Sequence, residues 1–399
     1  MPKRRVPRSN PFLPSVPARG AHFADREREV ARIAEAYRTP ASRLVVYGER
    51  RMGKTSAIEW AAEQVRAEGV PVAIATFATA TDPADAARQI LTNVNKEYGR
   101  DWQRELEQIV GRLRGEVTTR VDAVTGLPTL AISFGVREDA RQPALIADTL
   151  NAIAEHVERR GGHLAIALDE FQRIHEWGGE DAEWGLKAAF EQHRSLSYVL
   201  AGSKRHLIEA MITRKGRALW KQADSILFEA VPADDMAAWI QGQAARNGVK
   251  FALAACDAIV RLAGPRTRDI VQLAREVFYE GMRAETVTER DVGRALESWA
   301  GVQNALYAAI WRERPPVQQR LLRALAAEPT LSPTSATALA RYALGPKSSA
   351  HLALTRLIED EHVVALEADG YAFDDPFFRR WVELHALPDL QVPAESSGR

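Results

Sequence analysis

Leu44-Val45-Val46-Tyr47-Gly48-Glu49-Arg50-Arg51-Met52-Gly53-Lys54-Thr55-Ser56 is the stretch on which the reading of this chain turns. The apolar run at residues 44–47 reads as a strand and the residues from Lys54 onward as a helix. Between them, residues 48–55 fit G-x-x-x-x-G-K-[ST] at every defined position. With average residue usage that pattern arises by chance about once in a hundred chains of this length. The two glycines let the backbone N–H groups of Gly48, Glu49, Arg50, Arg51, Met52 and Gly53 turn inward around α- and β-phosphates, where the helix N-terminus adds a favourable dipole. Lys54 then reaches the β- and γ-phosphates, and the Thr55 hydroxyl coordinates Mg²⁺. Gly48 to Ser56 are thus the expected nucleotide-binding residues, against the plain alternative of a glycine-rich turn with an incidental lysine.

Working outward, strands at residues 70–77, 163–168, 198–201 and 225–229 alternate with helical stretches, which predicts an α/β fold built on a parallel sheet. The strand at 163–168 ends in Asp169-Glu170, and parallel strands put such ends at the ligand edge of the sheet. Two acids directly after an apolar strand are costly without cationic partners. Asp169 can hold Mg²⁺ and Glu170 can polarise the attacking water as general base, the alternative being a solvent-facing helix cap.

Weaker signals follow. Ala201-Gly202-Ser203-Lys204-Arg205 lies at another strand's ligand end, where Ser203 could hydrogen-bond the γ-phosphate or the water, or could form an ordinary polar turn. Gly264-Pro265-Arg266-Thr267-Arg268 opens a helix from which Arg266 or Arg268 could reach a nucleotide, a solvated arginine being the alternative. Arg194, before the strand at 198–201, is a candidate arginine finger acting in trans.

The predicted organisation is a basic flexible arm at 1–20, an ATPase α/β domain at 21–231 with a β-hairpin inserted near 116–135, a helical lid at 232–312, a winged-helix domain at 313–387 and a loose tail at 388–399. Three helical stretches after Pro315-Pro316, then short strands at 363–366 and 371–373 around Ala368-Asp369-Gly370, give the winged-helix order. The 399 residues carry 53 Lys+Arg against 53 Asp+Glu, but unevenly: residues 1–20 hold five basic residues and no acid, while residues 315–399 hold 8 basic against 11 acidic. A DNA reader usually shows a basic face, so the winged helix is expected to meet a protein, and DNA contact is expected from the arm if anywhere. The single cysteine, Cys256, excludes an internal disulfide and suits a reducing cytoplasm. No apolar run suits a membrane helix, no signal peptide is evident, and the nine histidines show no zinc-ligand spacing.

At these residues the chain resembles the archaeal-type P-loop ATPases, also common in bacteria, of the STAND/AAA+ neighbourhood. The resemblance rests on Asn10-Pro11-Phe12, Phe23-Ala24-Asp25-Arg26, the phosphate loop, Leu168-Asp169-Glu170-Phe171-Gln172, Ala201-Gly202-Ser203, Gly264-Pro265-Arg266, and Asp375-Pro376-Phe377-Phe378-Arg379-Arg380-Trp381. It implies a nucleotide-binding α/β domain, a helical lid and a winged helix, with Phe23 and Arg26 near the adenine. Ala24-Asp25 departs from the family, which prefers a small residue and glycine there. The nuclease-like extension of some relatives is not expected.

The expected activity is Mg²⁺-dependent hydrolysis of ATP to ADP and phosphate in a nucleotide-controlled switch, with nucleotide-dependent self-association as a further expectation. The alternative is an ATP-dependent, DNA-associated factor of the origin-recognition or transposition-helper kind, using the winged helix and basic arm.

Overall fold

A computed structural model of the chain describes residues 9–113, 115–121, 128–134, 143–282, 285–330, 332–366 and 370–387. Lys3, Arg4, Arg5 and Arg8 of the expected arm, the turn at 125–127, Ala368-Asp369 and the tail from residue 388 lie outside them. The chain divides into two compact units: Val16–Ala230, and the residues before Val16 together with those from Val231 onward.

The first unit holds β1 (Arg43–Tyr47), β2 (Val72–Thr76), β3 (Gly115–Val121), β4 (Pro128–Phe134), β5 (Leu164–Asp169), β6 (Leu196–Gly202) and β7 (Asp224–Leu227). Its helices are α1 (Glu27–Arg38), α2 (Lys54–Ala67), α3 (Pro83–Tyr98), α4 (Gln103–Arg112), α5 (Ala144–Arg159), α6 (Arg173–Gln192) and α7 (Arg205–Thr213). Five strands form one parallel sheet in the order β2-β5-β6-β1-β7. The inserted pair β3 and β4 is antiparallel and separate. Every residue of β5 and β6 is buried, as a sheet covered on both faces requires.

The two-residue period of β5 sets which layer covers which face. Leu164, Ile166 and Leu168 join the core formed with α3, α4 and α5. Ala165 and Ala167 point the other way, into the core with α1 and α2, where small side chains let those helices come close. Helix ends are locally specified: the Asp82 carboxylate accepts the Asp85 amide at the start of α3, with Pro83 in the first turn. Helix α6 is bent at Gly178-Gly179, whose backbone leaves helical geometry.

The second unit is helical up to its small β-ribbon: α8 (Ala233–Arg246), α9 (Leu253–Ala263), α10 (Thr267–Gly281), α11 (Glu289–Val302), α12 (Asn304–Glu313), α13 (Pro316–Ala327), α14 (Ala336–Arg341), α15 (Lys347–Glu359), β8 (Val363–Ala365), β9 (Tyr371–Phe373) and α16 (Pro376–His385). Three helices and an antiparallel ribbon make the winged helix, and α16 closes it, with Asp375 accepting the Phe377 and Phe378 amides. The residues of the expected lid and winged helix fall in the same compact unit. Trp381 donates to Asn304, Tyr307 donates to Asp375, and Arg380 pairs with Glu297.

One expectation changes. The arm was to be unpacked through Gly20, yet Phe12 is fully buried in this second unit, and the Asn10 side chain donates to the Arg275 carbonyl at 2.9 Å. An aromatic ring taken wholly out of water outweighs the proline-rich, basic character around it. Among the described residues, no helix is long and apolar enough to cross a membrane.

Candidate active site

The strand order dictates the site. β1 carries the phosphate loop, β5 the acidic pair, and β6 lies between them, so Ser203 follows the strand that separates Lys54 from Glu170. All three strands are parallel and end at one sheet edge, at a spacing of about 4.8 Å per strand.

In the loop, Gly48 has φ +150° and a Cβ there would stand 2.5 Å from the Phe228 carbonyl oxygen, so no other residue fits. Gly53 begins α2 at φ +96°. Between them Arg51 has φ +135°, an uncommon backbone for a non-glycine and a mark of a functional turn. No side chain of Gly53 can cap α2, which leaves the first amides of that helix to a ligand.

Lys54 is 6% exposed, and its Nζ donates to the carbonyls of Gly48 at 2.9 Å and Glu49 at 2.6 Å. Burial pulls its pKa down to about 8 against the pull of Glu170 and Asp169. A buried ammonium held by carbonyls alone suits an anionic ligand such as a polyphosphate. The Thr55 hydroxyl donates to Asp169 Oδ2 at 2.8 Å, and Asp169 Oδ1 accepts the Glu170 amide at 3.0 Å. Burial raises the Asp169 pKa, against the Thr55 hydrogen bond. Hydroxyl and carboxylate oxygens together are the hard-donor set Mg²⁺ takes.

Glu170 has φ +57°, again left-handed. Its Oε2 accepts from Ser203 Oγ at 2.7 Å and from the amide of Gln172. Gln172 is a site residue that sequence reasoning misses. Its only sequence signal is its place two residues after a candidate base.

Residues 23–231 match the family described as an ATPase domain predominantly from Archaea, and residues 305–384 match a probable winged helix domain. The chain belongs to that archaeal ATPase family. No match is found among curated proteins. Among solved structures the chain is similar to the Walker-type ATPase paby2304 of Pyrococcus abyssi, with TM-score 0.58 and 17% identity over 94% of this chain and 99% of that one. It is also similar to the Aeropyrum pernix ORC2 protein in ADPNP-ADP complexes, with TM-score 0.52 and 15% identity over 91% and 93% of the two chains.

Other expected site residues of this ATPase fall in varied places. Arg26 is buried over the Phe228 ring at 4.9 Å and pairs with Glu29 at 2.8 Å, while Phe23 packs beside the α1–α2 core. Asp25, at the position where the resemblance prefers glycine, has φ +42°, a backbone that aspartate tolerates better than most residues, so the departure keeps the turn. Met52 offers only its backbone, because its side chain belongs to the α1–α2 core. The Ser56 hydroxyl accepts the Ala18 amide at 3.2 Å and so anchors the segment before α1. Arg50 is exposed, and Glu49 and Arg51 are half-buried.

Of the two lid arginines, Arg266 is buried with Nη1 2.6 Å from Asp374 Oδ1, whereas Arg268 is exposed on α10. Arg194 precedes β6 and is exposed at the sheet edge opposite the phosphate loop. Lys204 pairs with Glu176 at 2.7 Å and Arg205 with Glu209 at 3.3 Å.

Proposed function

We propose that the chain hydrolyses ATP to ADP and phosphate in a Mg²⁺-dependent reaction, and that its nucleotide state acts as a switch. The observation that carries this reading is the Thr55–Asp169 hydrogen bond at 2.8 Å with Glu170 on the adjoining residue. It joins a metal-ligand set to a general base on two consecutive positions.

Lys54 binds the β- and γ-phosphates, and Thr55 with Asp169 holds Mg²⁺. The bound ion supplies charge neutralisation on the phosphate oxygens. Glu170 takes a proton from water as the water oxygen bonds to the γ-phosphorus and the bond to ADP breaks. Ser203 steadies Glu170. Of the two lid arginines, Arg266 is already ion-paired with Asp374 and Arg268 is exposed at the start of α10.

The test is Mg²⁺-dependent ATP turnover by the full chain. Lys54→Ala and Glu170→Gln should each lower it about 100-fold or more. Unchanged turnover in both overturns the reading.

For a partner, the winged helix favours protein over DNA. On α15, Lys347 and His351 are exposed beside Leu352 at 62% exposure, and Arg356 is paired with Glu359 at 2.8 Å. An apolar residue among few unpaired cations suits a protein surface better than a phosphate backbone. Size measurement with and without ATP, and with duplex DNA at low salt, separates the cases. A DNA complex that dissolves as salt rises would instead support a DNA-associated factor of the origin-recognition kind.

A further inference from the structure

Glu170 is gripped from two sides on one oxygen. Ser203 Oγ donates to Oε2 from the end of β6, and Gln172 Nε2 donates to the same Oε2 from the turn after β5. A carboxylate only accepts, so the Gln172 amide must present its NH₂ group here. That orientation leaves Gln172 Oε1 buried with no donor among the described residues, a cost set against the charge-assisted bond to the Glu170 carboxylate. Gln172 is 2% exposed.

Room for this amide is built into the neighbouring strand. At Gly202 an added Cβ would stand 2.6 Å from Gln172 Oε1 and 2.7 Å from Ile208 Cγ1, so the bare backbone at the end of β6 is what admits the glutamine. Glu170 itself is in left-handed backbone, which turns its side chain away from the course a continuing strand would give it.

We propose that Gln172 is a positioning residue for hydrolysis: together with Ser203 it fixes Glu170 by Oε2, so that Oε1 is the oxygen presented to water. The inference rests on the ATP-hydrolysis reading above. When nucleotide binds, the Ser203 O–H turns its hydrogen bond from Glu170 to a γ-phosphate oxygen, and Gln172 keeps Glu170 oriented alone.

Gln172→Met keeps the length of the side chain and removes its donor. In the full chain with ATP and Mg²⁺, kcat should fall roughly 10- to 100-fold while KM and ADP affinity stay within about twofold. Added to Glu170→Gln, the same substitution should cost nothing more, because the group it positions is already gone. A merely structural glutamine would lower residual turnover equally in both backgrounds. Gln172→Asn, which is too short to reach, provides a second variant should the first not fold, and should show the same kcat loss. Unchanged kcat in a folded Gln172 variant, or a loss that adds to that of Glu170→Gln, overturns the inference. If Lys54→Ala and Glu170→Gln lose turnover and the Gln172 variants do not, this inference alone fails. If all keep it, the hydrolysis reading fails first.

Discussion

The ring of Phe12 lies 5.8 Å, edge to face, from that of Trp239, which makes the segment before Val16 part of the core of the second unit. Phe278 at 6.0 Å and Phe251 at 6.5 Å complete the setting, and Phe12 is fully buried. Phe12→Ala should therefore destabilise the second unit by about 3–5 kcal/mol. Denaturant unfolding followed by tryptophan fluorescence reads it directly. A midpoint that does not move would return residues 9–15 to the status of a solvated leader.

Arg266 and Asp374 form an ion pair with both partners nearly out of water. Removing either side chain takes from the other its opposite charge in a buried setting, at about 3–5 kcal/mol. Arg266→Ala and Asp374→Ala should each be costly, and the double variant should cost clearly less than their sum. Strict additivity in a urea-unfolding cycle would show that the two act independently.

His193 gives a pH signature. Its Nδ1 lies 2.6 Å from Tyr198 Oη and its Nε2 2.9 Å from Asn151 Oδ1, a pattern the neutral ring satisfies by accepting from tyrosine and donating to asparagine. Burial, aided by Arg43, pushes its pKa down to about 4. The folded value thus lies below that of the unfolded chain, so the stability it confers is complete above about pH 6.5 and drains away as pH falls through 4, by about 3 kcal/mol in all. Unfolding free energy of His193→Phe should decline less than that of the wild type between pH 7 and pH 5. Parallel curves would sink the assignment.

Thr55→Ala removes the hydroxyl that joins α2 to Asp169. The Mg²⁺ concentration for half-maximal turnover should rise about tenfold or more, with little change in protein stability because Thr55 is exposed. Titrating Mg²⁺ at fixed ATP checks this, and an unmoved midpoint would remove Thr55 from the metal site.

What could be read in advance followed sequence distance. The phosphate loop and the β5 strand with its acidic end are contiguous, and their spacing and two-residue period carry their own geometry. Lys54, Thr55, Asp169, Glu170 and Ser203 meet because β6 lies between β1 and β5, an order suggested by the motifs but visible only in the pairing of strands. Other relationships have no local trace. Asn10 reaches the Arg275 carbonyl and Arg266 reaches Asp374 across long stretches of chain, and nothing near either end advertises the other. Asp25 teaches a related lesson: a departure from a family's glycine kept the backbone that glycine serves.

The placement of Asn10 to Phe12 has a consequence for synthesis. Residues 10–12 are made before Val16–Ala230 but belong to the unit whose other residues are made after it. The ATPase unit can close its own core while that segment waits, so the second unit becomes whole only when translation is far advanced. A cut just before Val16 would therefore be felt by the unit that resumes at Val231 and not by the unit next to the cut.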